Sequence, residues 1–267
     1  KRGSKLKVSV VNGDVRQMHR DPLNSGALFQ VASQFNLLEM ISPEITPEDG
    51  VTRYENDRTQ GPACAIAAGA ATIYRNYFAP IKGENGQTED RQLNGLEDLG
   101  INLSSATKLP INDLWVMRNG YALASQRGLE AISEYLKALT TDAIDILRGK
   151  LRLGIHWDVE VTDIEGAARP EVSQVFCSAV PVTYSNVDAR YWEPLAQLIL
   201  NAAYEATLLA AVLNSKRNGT NIVFLTLLGG GAFGNEDNWI YSALKQSFKL
   251  IRGFDLDVRL VSYERPS

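Results

Sequence analysis

Apolar residues along the chain form short runs that alternate with segments of helical period. The short runs predict strands over residues 6–11, 27–35, 113–119, 151–161, 174–181, 221–228 and 258–263. Apolar residues spaced as on one helix face predict helices over residues 63–78, 128–147, 191–213 and 239–251. Because strands alternate with helices, we predict an α/β fold with a mixed, mainly parallel sheet flanked by helices on both faces.

One polar segment interrupts this alternation. Residues 82–112 are polar and contain four glycines. Since the sequence shows no internal repeat and no linker, we predict a single domain over residues 1–267 with an insertion at about residues 80–175. Trp115, Tyr121 and Tyr135 lie in this insertion and suit either a partner surface or the core.

An apolar strand that stops at four glycines is the most informative motif. Gly229, Gly230, Gly231 and Gly234 follow the predicted strand 221–228 and precede a predicted helix. In such an arrangement backbone N–H groups hold a phosphate, and glycine permits close approach of the anion. The alternative is a tight turn with no ligand. Three consecutive glycines are costly in chain entropy, so we favour the phosphate site.

A second loop, Thr59-Gln60-Gly61-Pro62, precedes the predicted helix 63–78. Proline suits the first helical turn, where free N–H groups and the helix dipole favour an anion by about 0.3–1 kcal/mol. The alternative is a helix capped by the Thr59 side chain and facing solvent. Two such loops at the carboxyl ends of strands predict a diphosphate held between them.

Composition narrows the functional classes. The net charge of −4 without a basic tract disfavours nucleic acid as a partner, and no apolar run reaches the roughly 18 residues that span a membrane. Two cysteines and two histidines show no metal-ligand spacing, so we predict no metal and no cofactor. We expect a reduced, cytoplasmic compartment and a buried, unreactive Cys64, with room for an upstream region before Lys1.

Four motifs in order give the sequence its resemblance to a known family. They are Gly13-Asp14-Val15, a strand ending at Asn36, the 59–64 loop and the 229–234 loop. In this order the sequence resembles the macrodomain family, whose members bind ADP-ribose. Where many macrodomains carry glycines after the Asn, this chain has residues 37–40 and then an acidic loop. This departure is similar to a divergent branch that includes bacterial effector macrodomains, which remove ADP-ribose from arginine of modified ubiquitin.

The resemblance implies ADP-ribose, free or on a protein such as ubiquitin, as the ligand. Asp14 would accept a hydrogen bond from the adenine amino group, while Asn36 and Phe233 would lie at the distal ribose. The two loops would hold the diphosphate. The ADP-ribose-binding residues implied in this way are Asp14, Val15, Asn36, Thr59, Gln60, Gly61, Ala63, Cys64, Gly229, Gly230, Gly231, Ala232, Phe233, Gly234 and Asn235.

A hydrolase also needs a carboxylate at the anomeric carbon of the distal ribose, to activate water and stabilise developing positive charge. Asp57 is the first candidate because it lies two residues before Thr59, and Glu55 and Glu39 follow. For each of them the alternative is a solvated loop charge or a helix cap. The acidic loop favours a guanidinium leaving group, hence ADP-ribosyl-arginine. A non-catalytic ADP-ribose reader stays open, whereas a Rossmann enzyme would need a Gly-x-Gly-x-x-Gly that the first strand lacks.

Overall fold

The strands form one six-stranded sheet and two hairpins within residues 5–166 and 169–262, the part of the chain that this computed structural model describes. The strands are β1 Lys7–Asn12, β2 Leu28–Ala32, β3 Pro80–Ile81, β4 Glu84–Asn85, β5 Trp115–Arg118, β6 Tyr121–Ala124, β7 Gly154–Glu160, β8 Glu171–Cys177, β9 Ile222–Leu225 and β10 Asp257–Ser262. The helices are α1 Val15–Arg20, α2 Gln60–Ala67, α3 Gly69–Tyr77, α4 Glu97–Thr107, α5 Ile111–Leu114, α6 Gln126–Lys137, α7 Thr141–Arg148, α8 Ala189–Lys216 and α9 Asp237–Ile251.

The strand order of the central sheet is β1-β10-β9-β2-β8-β7. Every neighbouring pair is parallel except β7 and β8, which are antiparallel at one edge. The predicted mixed, mainly parallel sheet is therefore confirmed. In parallel strands the carboxyl ends meet at one edge of the sheet, so the segments that follow β1, β2, β8 and β9 lie on the same side.

The inner strands β2, β8 and β9 are buried on both faces, as a continuous apolar run predicts. Leu28 of β2 and Val223 of β9 belong to the larger core cluster, together with side chains of α8 and α9. Phe29 and Phe224, one residue further along the same strands, belong to a second cluster with Val15 of α1. Helices thus flank both faces, and this part of the fold prediction is confirmed.

The helix α8 crosses the larger core cluster. Among the helices of the described residues it alone is long and apolar enough, by length and composition, to cross a membrane. However, 78% of its most apolar window is buried inside the protein, and Trp192, Ile199 and Tyr204 are fully buried. Its apolar character is therefore explained by its place in the core.

Several predicted elements are wrong in detail. Among the strands, predicted strand 27–35 already ends at Ala32, and predicted strand 174–181 is Glu171–Cys177. The predicted helix 63–78 is two helices, because the chain leaves helical geometry at Ala68 and the Gly69 N–H donates to the Thr162 hydroxyl at 2.9 Å. The predicted helix 128–147 is α6 and α7, since the Thr140 hydroxyl caps a new helix. The predicted strand 113–119 begins as the short helix α5 and becomes β5 only at Trp115.

The predicted insertion at 80–175 includes β7 and the start of β8, so the segment outside the central sheet runs from 80 to 153. This segment packs on the larger core cluster. Trp115 and Tyr121 are each 1% exposed, and Tyr135 is partly buried, so none of the three presents an open partner surface. Residues 1–4 and Tyr263, the last residue of a predicted strand, lie outside the described residues.

Candidate functional site

A cavity of about 210 Å³ opens at the carboxyl ends of β2 and β9. Five segments that are distant in the sequence surround it: the end of β2 with the loop after it, residues 57–62 at the start of α2, Tyr121, Ala179 with Tyr184, and the 226–233 loop. Of the predicted site residues, those that line the cavity are Glu39, Asp57, Thr59, Gln60, Gly61, Gly229, Gly231, Ala232 and Phe233. The fold therefore brings both glycine-containing loops to the same cavity, as the sequence predicted.

The start of α2 approaches β2 very closely. A Cβ at Gly61 would lie 1.8 Å from the Ala32 carbonyl oxygen, so this position accepts only glycine. Thr59 occupies the N-cap position but makes no side-chain capping bond, which disfavours the alternative of a Thr-capped helix. Within residues 5–166 and 169–262 the N–H groups of Gln60 and Gly61 have no acceptor, so they are free to bind an anion at the cavity.

The glycine loop 229–235 lies on the opposite side of the cavity. Gly229 and Gly234 have φ values of +77° and +69°, which only glycine adopts without strain. Asn235 fixes the loop, because its backbone N–H donates to the Gly229 carbonyl at 2.9 Å and its Nδ2 donates to the Val180 carbonyl at 2.8 Å. Backbone conformation alone therefore explains why glycine occurs at positions 229 and 234, the two ends of the loop.

The middle of the same loop is open. No acceptor among the described residues takes the N–H groups of Gly231, Ala232 and Phe233. A Cβ at Gly231 would meet nothing within 4 Å. Because β9 ends at Leu225 and α9 begins at Asp237, the predicted strand end at 228 is wrong and the loop does not start the helix directly. The phosphate site on this side would consist of loop amides without a helix dipole.

Aromatic side chains form one wall of the cavity. The ring of Phe233 lies 5.3 Å from that of Tyr121 and 5.6 Å from that of Tyr184, measured between centroids. The Tyr121 hydroxyl donates to the Met40 carbonyl at 2.6 Å. Sequence reasoning missed both tyrosines as site residues, since neither carries a local motif and only the tertiary fold brings them to Phe233.

Asp57 is the predicted carboxylate that the structure leaves available to a ligand. It is half-buried and lines the cavity, and its Oδ1 accepts the Thr59 backbone N–H at 2.8 Å. Its Oδ2 has no partner among the described residues. Glu55 is exposed on the 3₁₀ turn Val51–Asn56 and does not line the cavity.

Glu39 belongs to the cavity wall, but its carboxylate is buried in an ion pair. Its side chain is 0% exposed, and its carboxylate pairs with Arg75 Nη2 of α3 at 2.9 Å. Burial raises the pKa of Glu39 to about 7, although the charge of Arg75 and its hydrogen bond lower it. Arg75 also donates from Nε to the Leu37 carbonyl at 2.9 Å and lies over the Phe176 ring at 3.8 Å. The pair supports the loop after β2, and it keeps the Glu39 carboxylate bonded to Arg75 and unexposed.

The remaining predicted residues do not line the cavity. Asp14 is exposed and caps α1 through the Arg16 N–H at 2.8 Å, whereas Val15 is core. Asn36 is fully buried and bonded to Gln92 and the Leu38 N–H. Cys64 is buried and burial raises the pKa of its thiol well above its usual value, which agrees with the expected unreactive thiol. The others away from the cavity lining are Ala63, Gly230, Gly234 and Asn235.

Replacement of Arg75 by methionine should lower the free energy of unfolding by about 3–5 kcal/mol at about pH 8, because it leaves the Glu39 charge buried without a partner. In the wild type the pKa of Glu39 rises from 4.5 to about 7, so the folded state binds more protons in that window and this group adds stability as pH falls through it. The variant can protonate Glu39 and should therefore lose less stability at about pH 6.

Urea unfolding of both proteins at the two pH values measures this effect. Burial lowers the pKa values of His19 and His156 to about 4, and the charge of Arg75 also lowers that of His156, so both stay neutral in the folded wild type over this range. A destabilisation of Arg75→Met that is equal at both pH values would contradict the assignment of the effect to Glu39.

No family model matches the sequence, and no curated protein matches it. Two solved structures that resemble the chain are of poly(ADP-ribose) glycohydrolase from Deinococcus radiodurans in complex with ADP-ribose. The first, a point mutant, is 9% identical, with a TM-score of 0.49 over 98% of this chain and 77% of that one. The second is 9% identical, with a TM-score of 0.46 over 100% and 81%.

Proposed function

We propose that this protein binds ADP-ribose and hydrolyses the bond between its distal ribose and a protein side chain. The observation that carries the proposal is one cavity with unpaired backbone N–H groups on two sides, those of Gln60 and Gly61 and those of the 231–233 segment. Two such clusters suit the two phosphates of a diphosphate. Phe233 and Tyr184 offer aromatic faces for the groups on either side of it.

Asp57 supplies the chemistry in this proposal. Cleavage at the anomeric carbon passes through an oxocarbenium-like state, which a carboxylate stabilises while it orients the attacking water. The Thr59 N–H holds one carboxylate oxygen of Asp57 and leaves the other for water or substrate. Since the Glu39 carboxylate is buried in an ion pair and Glu55 lies outside the cavity, Asp57 is the catalytic candidate that geometry supports.

Arginine is the proposed carrier side chain, and ubiquitin the proposed carrier protein. The acidic loop supports arginine less than its sequence suggested, because Glu44 contacts Arg118 and Asp49 pairs with Arg53. The preference therefore depends on Asp57, whose free oxygen suits a guanidinium leaving group. Ubiquitin follows from the resemblance to effector macrodomains alone.

The test is incubation of the wild-type protein with ubiquitin and a second protein, each ADP-ribosylated on arginine, with release of free ADP-ribose measured over time. We expect release from arginine-linked substrate and none from glutamate-linked substrate. Binding of ADP-ribose by calorimetry without release from any substrate would show a reader module instead. Release from the second protein but not from ubiquitin would reject ubiquitin as the carrier.

Asp14 is expected to contribute to adenine binding. Asp14→Ser keeps a side chain that can cap α1 but cannot reach a base, so it separates the two roles. We expect ADP-ribose affinity to fall by about 1–3 kcal/mol with little change in thermal stability. Calorimetry with ADP-ribose and with its inosine analogue measures this. If the wild type binds both ligands equally, the adenine amino group lies elsewhere.

A further inference from the structure

The hydrogen-bond ladder between β2 and β9 stops at the cavity. β2 pairs with β8 along all five of its residues but with β9 only at Leu28 and Phe29. The Ser33 N–H donates to the Cys177 carbonyl of β8 at 2.8 Å. Because the backbone groups of successive residues point to opposite neighbours, the Ala32 N–H points to the β9 side. Among the described residues, no strand residue meets it there.

The side chain of Gln60 occupies this gap. Its Nε2 donates to the Gln30 carbonyl at 2.7 Å, and its Oε1 accepts the Ala32 N–H at 2.8 Å. In a parallel ladder one residue makes these same two bonds, one to a carbonyl and one to an N–H two residues later. Nε2 also lies 3.2 Å from Cys64 Sγ. The carboxamide thus replaces one residue of a neighbouring strand, and both its nitrogen and its oxygen are hydrogen-bonded to β2.

The side chain of a second glutamine, Gln30, accepts a hydrogen bond from the backbone that follows β9. Gln30 Oε1 accepts the Thr226 N–H at 3.3 Å, and Gln30 Nε2 donates to the Thr207 hydroxyl of α8 at 3.1 Å. Buried backbone groups without partners are costly and would favour closure of the gap. With the two side-chain amides in place, the strands stay apart and the cavity stays open.

We propose that Gln60 is a positioning residue that acts through β2 and does not use its side chain to contact the ligand. Its bonds to β2 fix the first turn of α2, so the open N–H groups of Gln60 and Gly61 lie in register for the diphosphate. Gly61 allows α2 to lie this close to β2, because it has no Cβ beside the Ala32 carbonyl. The identity of the ligand in this inference rests on the proposed function, whereas the role of Gln60 in the sheet does not.

The first measurement needs no ligand. Gln60→Met keeps the side-chain volume and removes both polar atoms, so the Ala32 amide loses its acceptor. We expect the hydrogen-exchange rate of this amide, measured by NMR, to rise about tenfold or more. Gln197→Met is the matched control, since it removes side-chain bonds to Asn201 and Trp239 away from the cavity. Unchanged protection of Ala32 in Gln60→Met would overturn the inference.

The second measurement uses ADP-ribose and arginine-ADP-ribosylated protein. For Gln60→Met we expect KM and the ADP-ribose dissociation constant to rise about tenfold, with kcat within about threefold, because Asp57 is held by Thr59. Gln197→Met should leave all three unchanged. Gln60→Asn, one methylene too short to bridge Gln30 and Ala32, should behave as Gln60→Met does and serves if the methionine variant does not fold.

The outcomes separate the two proposals. Wild-type binding of ADP-ribose together with equal binding by the Gln60 variants would overturn the positioning role and leave the proposed function standing. If the wild type binds no ADP-ribose but the Gln60 variants show faster exchange at Ala32, the proposed function is overturned and the role of Gln60 in the sheet stands. A fall in kcat at unchanged KM would assign Gln60 to the chemistry and would also overturn the positioning role.

Discussion

Asp57→Asn is expected to lower turnover by about a hundredfold or more while ADP-ribose affinity changes little, which is the usual effect of removing a general base. Asparagine keeps an oxygen that can accept the Thr59 N–H, so the turn before α2 should be preserved. What it loses is the negative charge that stabilises the oxocarbenium-like state and orients water. Asp57→Ala should be equally inactive, with an added loss of the turn.

Initial rates on arginine-ADP-ribosylated protein and calorimetry with ADP-ribose measure the two effects. Glu55→Gln is the matched control, because Glu55 is an exposed carboxylate two residues earlier that does not line the cavity. Near wild-type turnover of both Asp57 variants would remove Asp57 from the chemistry. A large loss in Glu55→Gln would then assign the role to Glu55.

Gly231→Phe is expected to weaken ADP-ribose binding by about a hundredfold or more with the fold intact. The backbone at Gly231 is outside the left-handed region and a Cβ there meets nothing, so the protein tolerates a side chain. Phosphate binding should be blocked, because the phenylalanine ring would cover the open N–H groups of the 231–233 segment. Loss of two charge-assisted hydrogen bonds, at about 1.5–3 kcal/mol each, accounts for this magnitude.

Calorimetry measures the affinity, and thermal unfolding checks the fold. Gly253→Phe is the matched control, since Gly253 is also exposed with no atom near its missing Cβ and does not line the cavity. Gly229 and Gly234 are unsuitable for this test, because their positive φ values would add backbone strain to any substitution. Unchanged affinity in Gly231→Phe would remove the glycine loop from the binding site.

The sequence was most informative where burial and chain geometry are local properties. Residues buried on both faces of parallel strands produce continuous apolar runs, so the class of sheet could be predicted from periodicity. Gly229 and Gly234 could be recognised because their positive φ values require glycine. Asp57 could be placed near the start of α2 because it lies only two positions before Thr59.

Prediction from the sequence failed where a side chain from a distant part of the chain forms a hydrogen bond or an ion pair. Thr162 takes the Gly69 N–H and helps to divide one predicted helix, although it lies 93 residues away in the chain. Glu39 looked like a candidate base, yet Arg75 of α3 holds its carboxylate in a buried ion pair. Gln60 looked like part of a phosphate loop, and its side chain proved to be bonded to β2. No periodicity signals such partners.

By itself the sequence determined the α/β class, the two glycine-containing loops and the carboxylate ahead of one of them, since these depend on burial period, backbone sterics and close spacing. Only the tertiary structure decided that β2 and β9 separate after Phe29, that Tyr121 and Tyr184 meet Phe233, and that Asp57 keeps a free oxygen in the cavity. These features depend on which distant segments satisfy each other's hydrogen bonds and packing, and such pairings are settled only when the whole chain folds.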